Sequence, residues 1–229
     1  MSRSEEIASF LENCSESERR WIFDYLRKKY SIHPIEKKLN VSAEVILEAI
    51  DRASDLTIRG IRGIIAEASF KQYVLNSLND WSDVTKPGDI PYDYLLTKNN
   101  KQVRIQVKMQ RLKAHLPMMA NEGYRILSAD KFVVETQRTR GGKDKKSNSD
   151  TRPYHFGEFD ILAVSMQPST GNWNEFLYTV SSWLLPRKEN KKLLLKFQPV
   201  PKQPNDEWTD NILLCFDWFF SGKKKRISV

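Results

Sequence analysis

The chain has 229 residues, of which 40% are hydrophobic and 11% aromatic, a composition that builds a packed core and excludes wholesale disorder. No apolar run approaches the ~20 residues of a membrane span. No apolar stretch of signal-peptide type follows the N-terminus, and two cysteines, Cys14 and Cys215, are too few for a zinc cluster. These features lead us to expect a reduced, cytoplasmic protein without a membrane partner.

In chain order, Ser4 to Ser54 is patterned as helix. Ser15 and Glu18 make a capping box, and Trp21, Ile22, Tyr25 and Leu26 recur on one face. After Pro34, the stretch IEKKLNVSAEVILEAI scans as a short helix, a tight turn and a second helix capped by Ser42, a helix-turn-helix-like hairpin. Residues 1–57 are therefore expected to be an N-terminal helical region and 58–229 a second domain. In the latter, a helix is predicted from Ile61 to Leu78 with Ile64, Ile65, Ala68, Val74 and Leu75 inward. Extended runs follow at Tyr92–Thr97 and Gln102–Met109, with Asn99 and Asn100 as a tight turn between them. More are expected at Lys131–Thr136, Phe159–Met166, Leu177–Leu184 and Leu193–Phe197, then a C-terminal helix from Trp208 to Phe220. Helix, hairpin, further strands and helix make an α/β (α+β) core.

The formal charge is +8, from 37 Lys and Arg against 29 Asp and Glu. Between Lys98 and Arg152 there are 14 basic and 5 acidic residues, leaving 23 and 24 elsewhere. The whole surplus thus lies in one block, which suits a polyanion, with nucleic acid the first candidate.

Within that block, Asp93 precedes Gln106-Val107-Lys108 by thirteen residues. Residues i and i+2 of a strand share a face, so Gln106 and Lys108 project together, and a hairpin through Asn99 brings Asp93 beside them. Glu67, on the preceding helix, could add a second carboxylate. Phosphodiester hydrolysis needs a hard cation on oxygen ligands beside a group that orients water. Asp93, the Gln106 side-chain oxygen, the Val107 carbonyl and Glu67 are the candidate ligands of Mg²⁺, one or two ions per site. Lys108 is the candidate for holding the nucleophilic water, and Arg104 is a candidate phosphate contact. Asp89 competes with Asp93; the latter is favoured because its strand is the apolar one.

At GDIPYD and QVK the sequence resembles the PD-(D/E)xK nuclease superfamily, from about Ile61 to Met166. It departs in having Tyr92 between the proline and the aspartate, and Gln106 for the usual acid, a minority variant that gives Glu67 more weight. Within the superfamily it looks most like a type II restriction endonuclease, given IRGIIAEASF before the metal motif and TRPYHFGEFDILAV after it. The resemblance implies a restriction-endonuclease-like core, a central mixed β-sheet flanked by helices. It further implies Mg²⁺-dependent, site-specific cleavage of double-stranded DNA, a palindromic site and a homodimer.

The segment QRTRGGKDKKSNSDTR, residues 137–152, has six basic side chains and no apolar one, so it is expected to contact DNA. Gln137, Arg138, Arg140, Lys143, Asn148 and Arg152 are its candidate base or phosphate contacts. Two alternatives stand beside the leading one: a non-catalytic DNA-binding regulator using the N-terminal hairpin, and a repair or junction-resolving nuclease of the same superfamily.

Overall fold

A computed structural model of the chain describes residues 2–31, 33–138 and 152–229, which divide into two units, Met1–Ile58 and Arg59–Val229. In the first, two capping boxes set the starts of α1 (Arg3–Asn13) and α2 (Glu16–Lys29): Ser2 pairs with Glu5, and Ser15 with Glu18. The hairpin read from the sequence is present as α3 (Pro34–Leu39) and α4 (Ala43–Asp51), turned by Asn40 in the left-handed region at φ 51°. Ser42 is the N-cap residue of α4, but its side chain makes no capping bond. Glu36 fixes the turn instead, its Oε1 accepting from the Ala43 N–H at 2.8 Å.

α5 (Asp55–Ser69) starts six residues before the expected Ile61 and does not run on to Leu78. After Ser69 it widens into a π-helical turn, Phe70–Val74, and tightens into a 3₁₀ turn, Leu75–Ser77. The wide turn presents Phe70, fully buried, to Tyr94, Phe176 and Tyr178, with ring centroids 5.5, 5.4 and 6.3 Å away.

The central sheet is mixed. Its order is β1 (Ser82–Asp83), β2 (Tyr94–Lys98), β3 (Lys101–Met109), β7 (Ile161–Ser165), β8 (Phe176–Val180), antiparallel throughout except for the β3/β7 pair. The β2–β3 hairpin turns at Asn99 and Asn100, with φ of 47° and 63°, left-handed values that asparagine tolerates and a two-residue hairpin loop requires. β7 is buried along its whole length, as a near-continuous apolar run in the middle of a sheet should be. Burying Ile161, Leu162 and Val164 contributes roughly 1.5–3 kcal/mol each.

The crossover from β3 to β7 carries a short ribbon, β4 (Leu112–Lys113) with β5 (Leu116–Pro117), then α6 (Ala120–Gly123) and β6 (Phe132–Glu135). β6 pairs antiparallel with β9 (Phe197–Val200), Glu135 opposite Phe197. The strand expected at Leu193–Phe197 thus begins only at Phe197, because the residues before it form isolated bridges rather than a ladder. The α7 turn (Gln167–Thr170) and α8 (Ile212–Phe220) complete the order. α8 starts four residues after the expected Trp208 because Asn211 caps it, its Oδ1 accepting from Leu213 and Leu214. Among the described residues no helix is long and apolar enough to cross a membrane.

Candidate active site

Asp93 stands one residue before β2, its N–H donating to the Ile105 carbonyl at 2.9 Å. That ladder bond fixes its carboxylate over the middle of β3. Its Oδ2 accepts from the Val107 N–H at 2.7 Å and from the Gln106 side-chain amide at 2.5 Å. The same amide nitrogen lies 3.2 Å from the Val107 carbonyl. Two oxygens, one carboxylate and one carbonyl, therefore converge on a single buried donor, and Gln106 is only 2% exposed. Asp93, rather than Asp89, is the carboxylate placed against Gln106 and Val107.

Lys108 is the next residue on that face. Its ammonium lies over the Tyr154 ring, 5.5 Å from the centroid, and burial lowers its pKa against the pull of Asp93, Glu67 and Glu135. Burial likewise raises the Asp93 carboxyl, with Lys108 and the two donors opposing. Glu67 comes from the last turns of α5, held there by the Tyr94 hydroxyl, which donates to its carbonyl at 2.8 Å. Its carboxyl is pushed up to about 7 by burial first and Asp93 second, with Lys108 opposing. Glu67 and Asp93 line a cleft of about 280 Å³ together with Thr85, Lys86, Ile90 and Tyr92. Two carboxylates and a lysine, each desolvated and acting on the others, are a charge arrangement associated with function.

Among the described residues no group of three or more His, Cys, Asp or Glu side chains forms a metal cage. The donor set here is a mixed one, two carboxylates with an amide and a backbone carbonyl, all oxygen once the Gln106 amide turns about its last bond. Hard oxygen ligands suit Mg²⁺, which keeps several waters of its own. Asp93 Oδ2 and the Val107 carbonyl both lie against the Gln106 amide, so the three can offer neighbouring oxygens once that amide turns, and these residues fit such an ion.

The other expected residues are placed less simply. Arg104 is engaged by the protein itself: its N–H, Nε and Nη2 donate to the Asp160 carboxylate at 2.8, 3.0 and 2.6 Å, and its Nη1 to the Gly157 carbonyl at 2.7 Å. Gln137 bridges to Pro153. Arg138 and Arg152 stand side by side, the Arg138 N–H donating to the Arg152 carbonyl at 2.9 Å. Arg138 also pairs with Glu158 at 2.6 Å and faces the Tyr154 ring at 5.3 Å. Arg140, Lys143 and Asn148 lie outside the described residues.

Two participants were not anticipated. Tyr154 forms a wall against both Lys108 and Arg138, and Asp160 holds Arg104. Both fall in the TRPYHFGEFDILAV segment, where an acidic residue directly before a buried strand was the available signal. Gln110, two residues beyond Lys108 on the same face, is fully buried with neither amide atom bonded to protein.

No family model matches the chain, and no curated protein matches it. Among solved structures the chain is similar to a bacterial homing endonuclease, I-Ssp6803I, with a TM-score of 0.40 and 13% identity over 75% of this chain and 100% of that one. A likeness at that level carries no functional argument, so function rests on the geometry of the site.

Proposed function

We propose that the chain is a Mg²⁺-dependent endonuclease acting on double-stranded DNA, of the site-specific, type II restriction kind. The observation that carries this reading is the gathering of Asp93, Gln106, the Val107 carbonyl and Lys108 at β3, with Glu67 beside Asp93 in the cleft. Asp93, Gln106 and Val107 would hold the ion, and Glu67 would bind it directly or through water. When bound, Mg²⁺ supplies charge for the phosphate oxygens and the leaving group. Lys108 orients the attacking water from its seat on Tyr154 and offsets the negative charge that develops on the phosphoryl oxygens. Burial lowers the pKa of Lys108, so its neutral amine forms more readily than that of an exposed lysine and can take the water's proton. Glu67 is a second group able to take that proton.

The paired backbones of Arg138 and Arg152 set the base of the segment between them, and Gln137, Arg138 and Arg152 are its DNA contacts in this reading. A palindromic site and a two-fold dimer follow from the need to cut two strands with one active site per chain. A second reading, a non-catalytic DNA-binding regulator, draws on the α3–Asn40–α4 hairpin. Substitutions at Lys38 or Glu44 would then alter sequence preference, while Lys108 would not matter.

Digestion of plasmid and phage DNA with Mg²⁺, followed by sequencing of the ends, tests the reading. Discrete fragments sharing one end sequence are expected. Nicking confined to branched or damaged DNA would favour a repair or junction-resolving nuclease, and intact DNA across many sequences would remove the nuclease reading.

A further inference from the structure

Glu135, the last residue of β6, is surrounded by cations. Arg111 Nη1 lies 2.9 Å from its Oε2, while Lys196 Nζ and Arg152 Nη2 lie 3.6 and 3.9 Å from its Oε1. Three separate parts of the chain supply them. Arg111 follows β3 by two residues, and its N–H donates to the Val133 carbonyl at 2.8 Å, which ties the end of the metal-site strand to β6. Lys196 directly precedes β9, and Arg152 closes the basic segment.

Among the described residues, three positive charges thus share one carboxylate. Stability does not require this, since one cation would compensate Glu135 and exposed pairs contribute little. The side chains of Arg111, Lys196 and Arg152 are 33, 37 and 45% exposed, against 20% for Glu135. The cations form the rim and the acid lies deeper, an arrangement open to an incoming anion. The cluster adjoins the active site: Arg111 lies three residues beyond Lys108 in the chain, and the charge of Glu135 acts on Lys108.

We propose that Arg111, Lys196 and Arg152 form a phosphate subsite beside the cleavage centre, taking a non-scissile phosphate of duplex DNA, with Glu135 as the internal anion that this phosphate displaces. This rests on the nuclease reading. Two guanidinium forks and an ammonium, converging from three chain segments, match the several oxygens of one phosphate. The subsite fixes the register of the backbone, so that the neighbouring phosphate falls at Asp93 and Lys108.

The test is equilibrium binding of a short DNA duplex without divalent metal over a range of salt, with thermal midpoints for every variant. Arg111→Gln and Lys196→Gln are each expected to weaken binding about tenfold. Together they should reduce the slope of log affinity against log salt by about one. Glu135→Gln should act in the opposite direction and strengthen binding severalfold, because the phosphate no longer competes with a carboxylate. Wild-type affinity in Arg111→Gln and Lys196→Gln, or weaker binding in Glu135→Gln, overturns the subsite. So does weakening that appears only where the midpoint has fallen. If the wild type cuts DNA and the variants bind normally, the subsite alone fails; if the wild type neither binds nor cuts DNA, both readings fail.

Discussion

The side-chain amide of Gln106 donates to the carboxylate of Asp93 from inside the fold, 2.5 Å away. A neutral donor therefore occupies the place where many metal sites set two acids against each other. Gln106→Glu replaces that donor with a third buried carboxyl near Asp93 and Glu67. We expect a loss of about 1–3 kcal/mol without divalent metal, recovered when Mg²⁺ is added. Thermal melts with EDTA and with Mg²⁺ check this. A variant as stable as wild type in EDTA would show that the amide is not engaged as described.

The Glu67 carboxyl, held at about 7 against an ordinary 4.5 by burial, Asp93 and the opposing Lys108, sets a pH dependence. The folded protein holds this proton more tightly than the unfolded chain does. Its contribution is therefore fully present below about pH 4.5 and is lost as pH rises through about 7. Metal-free wild type should lose stability across that window, and Glu67→Gln should flatten the slope. Melts from pH 4.5 to 8 decide it; the same slope in both proteins would contradict the assignment.

Arg104 and Asp160 bear on stability before they bear on DNA. Asp160 is only 9% exposed and its carboxylate takes three N–H donors from Arg104. Asp160→Ala strands those donors at the β3/β7 junction and should cost about 2–4 kcal/mol. Arg104→Ala should lower the melting temperature too, with little change in the salt dependence of DNA binding. Unchanged melting and a reduced salt slope would return Arg104 to the role of a phosphate contact.

Gln110 carries the opposite sign. Fully buried, with neither amide atom bonded to protein, it bears a desolvation cost that a thioether of similar length does not. Gln110→Met should raise stability by about 1–3 kcal/mol. A lower melting temperature would mean that the amide has a partner, such as an ordered water, that the replacement removes.

Much of the site was legible because it obeys local rules. The alternation around Gln106 and Lys108, with two asparagines able to turn a two-residue hairpin, fixes which side chains share a face and brings Asp93 opposite them. The capping pair Ser15 and Glu18 was equally local. What the sequence could not disclose depends on distant packing. α5 widens at Phe70 because Tyr94, Phe176 and Tyr178, from two strands, receive that ring, and no periodicity within the helix encodes this. The enclosure of Arg104 by Asp160 joins residues 56 positions apart. The register of β6 against β9, which assembles cations around Glu135, is set by pairing between segments more than sixty residues apart. Charge counting located the basic block but not the acids that organise it.

The central claim is that Asp93 and Lys108 perform metal-dependent chemistry on DNA rather than hold the fold or the DNA. Its most direct test is cleavage of duplex DNA in Mg²⁺ by wild type, Asp93→Ala and Lys108→Ala, measured beside binding of the same duplex without metal. The account predicts that each substitution abolishes cleavage, a loss of at least about a thousandfold, while binding stays within a few-fold of wild type. Cleavage that survives in either variant would contradict it.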